Sequence, residues 1–250
     1  MIGMAFRQMR AAIIGTAALT GIIVVALAVH GSIARGVSSR AWHACQSTDT
    51  VTCHYLQNQL RGMFTTIAPY LGYLTITTVL VAAFWGAPLI SREIETGTAA
   101  LAWCQSVTRR RWFTSRLIVS VSALGILGLL LGFTITWWLA SFTAAPQGGE
   151  RVLTTINLHG PLLAAMWIAG LLIGVLIGTL IRRTLPAMAV TAVVTLLGAI
   201  AFNLAGSLST ADPIGELQVL AHQSLQTVPV LAVAAIATLT AFRKIRTVRI

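Results

Sequence analysis

Six apolar runs set the pattern of this chain: residues 11–29, 64–90, 117–140, 161–181, 185–204 and 227–242, each bounded by polar or charged stretches. The first is nineteen residues long, which at a helical rise of ~1.5 Å per residue covers roughly 28 Å, one hydrocarbon core. Each run predicts a membrane-crossing helix. The sixth has only sixteen residues, a reach of ~24 Å, so that span is short, tilted, or begins inside the segment before it. In that segment Asp212 and Pro213 read as an N-cap and first helical position, and Ile214, Leu217 and Leu220 then share a face. A re-entrant helix and a helix lying on the outer surface both fit.

The polar stretches differ in character. Residues 1–10 mix Ile2, Phe6 and Met9 with Arg7 and Arg10, which suits either an interfacial helix or an irregular basic start. Ala26, Leu27 and Ala28 offer an A-x-A cleavage site, but the run that contains them exceeds the ~7–15 residues of a signal-peptide core, so a retained first span is expected. Residues 30–63 read as a polar loop with Gly36, Ser38, Ser39 and two cysteines. From His54 the loop turns periodic, with Leu56, Leu60, Met63 and Ile67 on one helical face leading into the second span. Residues 143–157 form a second loop, and Arg182 and Arg183 a tight turn. Trp112, Trp137 and Trp138 sit near the ends of the third run, where aromatic belts form.

Charge orients the spans. Arg35, Arg40, Arg61 and Arg151 fall on one side, while the other thirteen of the seventeen basic residues fall on the opposite side. Basic residues concentrate in the cytoplasm, so both termini are expected there. The net charge of +11 does not point to nucleic acid: the basic residues lie in clusters between apolar runs and form no solvated aromatic groove. With 56% hydrophobic and 9% charged residues, against about 25% charged in soluble domains, the expectation is an all-α integral membrane protein, residues 1–250 forming one transmembrane domain.

Cys45 and Cys53 share the first outer loop and Cys104 lies on the inner side. That count suits one disulfide outside and one thiol in a reducing cytosol; two free thiols are the alternative. The one lysine, Lys244, precedes Ile245, so no P-loop exists. All six acidic residues lie outside the expected spans, which argues against a proton-coupled carrier but leaves room for one that binds through backbone carbonyls. Gly170, Gly174 and Gly178 recur at every fourth position, as do Gly128 and Gly132, the pattern of close helix contact. Contact within the subunit is favoured over a subunit interface. Tyr70, Tyr73 and Thr77 make the second span polar, and Asn203 is an amide inside the fifth.

The most charged stretch between spans is 91–116, S-R-E-I-E-T-G-T-A-A-L-A-W-C-Q-S-V-T-R-R-R-W-F-T-S-R. Its spacing allows a short surface helix or a plain charged loop. Its residues carry more: Glu93, Glu95, Gly97, Thr98, Leu101, Val107, Thr108 and Arg109 form E-x-E-x-G-T, L and V-T-R. This resembles the segment after the second span of ABC-2-type permeases, in the form G-A-P-L-I-S-R-E-I-E-T-G-T seen in their actinobacterial branch. Ser106 stands where the wider family commonly has Pro. The motif covers about a tenth of the chain, and the order of spans extends the likeness along its length.

The resemblance implies a single permease domain of an ATP-driven exporter in a bacterial plasma membrane. It implies a coupling helix between spans two and three, met by a separate ABC-type ATPase, with Arg92, Glu93, Glu95, Thr96, Gly97, Thr98, Leu101, Trp103 and Gln105 as the contact residues. No cofactor belongs to this chain; ATP and Mg would bind the ATPase. A second permease, identical or paralogous, completes the complex in the bilayer. The second and fifth spans border the path in such folds, making Tyr70, Tyr73, Thr77 and Asn203 path candidates, against the alternative that they bond between helices. Re-entrant elements before the last span are also frequent there. An apolar path with a few hydroxyls suits an amphiphilic or hydrophobic substrate. The reading from another class is a secondary carrier or channel without an ATPase.

Overall fold

The computed structural model describes residues 2–47, 49–97, 108–143 and 160–209, together with 236, 237, 239–241 and 243. Helix α1 is Ile2–Gln46 and α2 is Thr50–Gly72. Leu74–Val81 forms α3, a π-helical turn follows at Ala82–Gly86, and α4 is Pro88–Glu95. Then come α5 (Arg109–Thr143), α6 (Leu162–Ile181) and α7 (Thr184–Ser209). Among the described residues, five helical stretches are long and apolar enough to cross a membrane: Met9–Gln46, Thr50–Glu95, Arg111–Phe142, Leu162–Ile181 and Thr184–Ala201. They contain the first five expected runs. Of the segment 207–226, where re-entry was expected, 207–209 end α7, and 210–226 lies outside the described residues, as does most of the sixth run.

The expected polar loop from His30 is not a loop. Helix α1 continues to Gln46 and α2 begins at Thr50, so the chain turns within three residues. The reason is a seam of mostly small residues. Leu27, Gly31, Ala34, Ser38 and Ala41 alternate steps of four and three, and all are buried. That period is helical, yet glycine, alanine and serine add little to an apolar count. Asp49 caps α2, its carboxylate accepting the Thr52 N–H at 3.0 Å. The Cys45–Cys53 disulfide closes the hairpin, with Cα atoms 4.8 Å apart. Closing so short a loop stabilises the hairpin by roughly 2–3 kcal/mol on the chain-entropy account. Intact-mass analysis after blocking free thiols should therefore show one blocked cysteine, Cys104; three in protein kept from reductant would reject the bridge.

The chain packs as two units. One holds 17–74 and 129–163. Its core is aromatic: Trp138 stacks on Phe64 with ring centroids 5.8 Å apart and meets Phe142 at 4.7 Å. The Trp138 indole N–H donates to His30 Nδ1 at 2.9 Å, which satisfies the one polar atom of a fully buried ring. Within this unit His30 and Arg35 of α1 meet Trp138 and Ser141 of α5 in ascending order. The two helices therefore run parallel, as first and third spans must.

The other unit holds 1–16, 75–128 and 164–250. Here α6 lies against α3, the π turn and α4 with backbones touching. A β-carbon built on Gly174 would stand 2.3 Å from the Ala82 carbonyl oxygen and 2.8 Å from the Ala87 nitrogen. Gly170 and Gly178 meet Thr78 and Ala87 in the same way, so this glycine stripe packs within the chain. The π turn has a local cause. Pro88 has no N–H, and its ring would crowd the carbonyl four residues back. The helix widens just before it, with the Ala87 N–H bonding the Ala82 carbonyl at 3.0 Å.

Candidate functional site

The motif segment begins on α4. Leu89, Ile90 and Ser91 are buried, while Arg92, Glu95 and Thr96 are exposed. The buried face joins Trp112, Phe113, Val175 and Ala241 in one apolar cluster. The helix stops where its sequence says it should. Thr96 returns its N–H to the Arg92 carbonyl at 3.0 Å, and Gly97 takes φ +72°, a left-handed turn that glycine adopts without a steric penalty.

The two motif carboxylates do different things. Glu93 forms an ion pair with Arg116 of α5, and both side chains are largely covered, at 18% and 10% exposure. Arg116 also lies over the Trp112 ring one turn earlier, 4.9 Å from its centroid. A guanidinium so enclosed needs its carboxylate, because an unpaired buried charge costs several kcal/mol. Glu93 is thus an internal fastener between α4 and α5.

Glu95 points outward and accepts the backbone N–H of Thr184 at 2.8 Å. Thr184 is the first residue of α7, so the carboxylate caps that helix and complements its positive end. The Thr184 hydroxyl beside it, and then the backbone N–H, hold the Glu95 carboxyl below its usual range; the N–H makes the bond, and the hydroxyl stands close without bonding geometry. Glu95 lies past the end of its apolar run, 64–90, and is exposed. Because its folded pKa is lowered, the cap is fully present above the ordinary carboxylate pKa and is lost as pH falls through the folded value. Next to it, α6 ends on Arg182 at φ 58°, whose N–H returns to the Gly178 carbonyl at 3.2 Å. A non-glycine residue there carries strain of order 1–3 kcal/mol.

The structure thus brings Glu93 and Glu95 onto groups 23 and 89 residues further along. Arg116, Trp112 and Thr184 belong to the cluster although the motif omits them. Only the Trp112–Arg116 spacing of one helical turn hinted at this; separations so long leave no local signal. Thr98, Leu101, Trp103 and Gln105 lie outside the described residues.

The path candidates separate. Tyr70 and Tyr73 are 67% and 64% exposed at the end of α2. In the other unit, Thr77 accepts the Trp167 indole N–H at 2.9 Å, an interhelical bond. Asn203 lies on α7, with its side chain outside the described residues. Among the described residues no three of His, Cys, Asp or Glu come together as metal ligands.

A family model, ABC-2 membrane transporter related, matches residues 14–205. The chain belongs to that family. No curated protein and no solved structure matches it. The ABC-2-related match takes in the first five helical spans and the Glu93–Glu95 cluster. It makes the chain a permease-type membrane subunit of an ABC transporter system.

Proposed function

We propose that this chain is the permease of an ATP-driven exporter in a bacterial plasma membrane, driven by a separate ATPase that binds ATP and Mg. It forms one domain of six spans with both termini in the cytoplasm, and it works with a second permease, identical or paralogous. The segment from Arg92 to Gln105 receives the stroke, and the cargo is amphiphilic or hydrophobic.

One observation carries the reading. Glu95 holds the α7 N-terminus while Glu93, two residues earlier, holds α5. A push on the segment that follows α4 would reach α4, α5 and the α6–α7 turn at once. A charge cluster that only oriented the protein would not need that connection. The orientation has its own support: a Cys45–Cys53 bond suits an oxidising compartment, which favours an outer α1–α2 turn and an inner N-terminus.

Two measurements test this. On a Cys104→Ser background, a cysteine at Gln147 should label from outside and one at Arg183 from inside; the reverse at either site breaks the topology. Purification through a tag on this chain should bring down a nucleotide-binding subunit. A chain that transports with no ATPase attached would refute the coupling.

A further inference from the structure

In the unit that holds the disulfide hairpin, the ends of α1 and α5 flank an open cavity of about 390 Å³. Arg35, Ser38, Ser39, Trp42, His43 and Ser141 line it. Arg35 is held in place from one side. Its Nε–H donates to Ser141 Oγ at 3.2 Å, a second N–H to the Trp137 carbonyl at 3.4 Å, and its plane lies 4.1 Å from the Trp137 ring centroid. A guanidinium carries five N–H donors, so these two bonds leave donors to spare. Among the described residues no carboxylate pairs with it.

A second observation points to a ligand. Ser38 is 4% exposed, lines the cavity, and its hydroxyl has no hydrogen-bond partner. Buried hydroxyls are rarely left so unless something outside the chain completes them. Ser39, beside it, is exposed at the mouth.

Depth narrows the ligand. Arg35 is six residues past Val29, the end of the first apolar run, which is roughly 9 Å along the helix. It bonds Trp137 and Ser141, which straddle residue 140, the end of the third apolar run, so it stands at the outer edge of the polar layer, which adds roughly 5–8 Å to each side of the hydrocarbon core. Trp137 sits at the same level, as interfacial aromatics do, and Trp42, two helical turns beyond Arg35, stands further out. Val29 and Ile33 on α1, and Leu130 and Phe133 on α5, are exposed. Because the helices run parallel, these apolar side chains all lie on the core side of Arg35, where acyl chains would run.

We propose that this cavity binds the phosphate of a phospholipid headgroup in the leaflet at the α1–α2 end. The Arg35 fork takes the phosphoryl oxygens, the unpartnered Ser38 hydroxyl is the neutral donor beside it, Ser39, whose hydroxyl donates to the Gly36 carbonyl at 3.1 Å, stands at the mouth, and Trp42 and His43 form the rim. The inference uses the membrane placement of α1 and not the ATPase coupling, so either can fail without the other.

The test is native mass spectrometry of the delipidated full-length protein, titrated with phosphatidylglycerol. One saturable site is expected. Arg35→Gln should weaken it at least about tenfold, the scale of one charge-assisted contact, and Ser39→Phe, which plugs the mouth from an exposed position, should do the same. Arg40→Gln is the control: Arg40 is exposed, bonds the Gly36 carbonyl at 3.1 Å and does not line the cavity. It should bind as wild type. An intact disulfide by mass and an unchanged near-ultraviolet dichroism spectrum identify folded variants. The proposal falls if Arg35→Gln and Ser39→Phe bind normally, or if Arg40→Gln weakens binding equally. It also falls if inorganic phosphate in excess displaces the lipid, because the site would then take a free anion.

Discussion

Gly174→Ala should destabilise the protein by roughly 3 kcal/mol, the upper end of what overpacking costs. The added carbon would meet the Ala82 carbonyl oxygen, the Ala87 nitrogen and the Gly86 Cα, all within 3 Å and all backbone. No rotamer can relieve such a contact; α6 must move away from the π turn. Gly62→Ala supplies the opposite sign. Nothing lies within 4 Å of a β-carbon there, and alanine is a better helix former than glycine by about 0.5–1 kcal/mol. Unfolding titrations of the purified protein should move in opposite directions for the two variants. Equal midpoints would mean that α6 does not pack on the π turn through this glycine.

The second large effect separates the two motif carboxylates. Glu93→Ala takes the carboxylate from the enclosed Arg116, and removing one partner of an enclosed ion pair costs about 3–5 kcal/mol. That variant should accumulate poorly or unfold early. Glu95→Ala removes an exposed cap and leaves no buried charge behind, so it should insert and fold. On the coupling reading it loses ATPase association or substrate-stimulated hydrolysis, as does Trp103→Ala. The checks are protein yield, pull-down of the ATPase and hydrolysis by the complex. If Glu95→Ala and Trp103→Ala together leave complex and transport at wild-type levels, the coupling role is wrong, and the segment only orients the protein.

Much of the architecture was legible because the bilayer simplifies the problem. Long apolar runs between basic clusters can hardly be anything but spans, and the five described ones lie where hydropathy puts them. The glycine stripe on α6 was legible for the same reason: close helix approach needs small residues at fixed spacing. What escaped was structure that hydropathy does not measure. The helical seam through Gly31, Ala34 and Ser38 is made of small residues that add little to an apolar count. The π turn is a local response to Pro88 that span-length reasoning averages away. Arg116 and Thr184 were out of reach because their partners are fixed by how α4, α5 and α7 assemble. The motif pointed to Glu93 and Glu95 but not to the fact that both are already engaged inside the chain.

The length of α1 has one more consequence. Its 45 residues make a rod of roughly 68 Å, more than twice the hydrocarbon thickness of about 30 Å. On the proposed membrane placement the end near Cys45 stands clear of the bilayer, bolted to α2 by a covalent bond. An antibody fragment or fluorophore seated on that end is attached to a stiff lever. Any tilt or rotation of α1 inside the membrane is magnified there, which makes the tip a natural place to watch the transporter turn over.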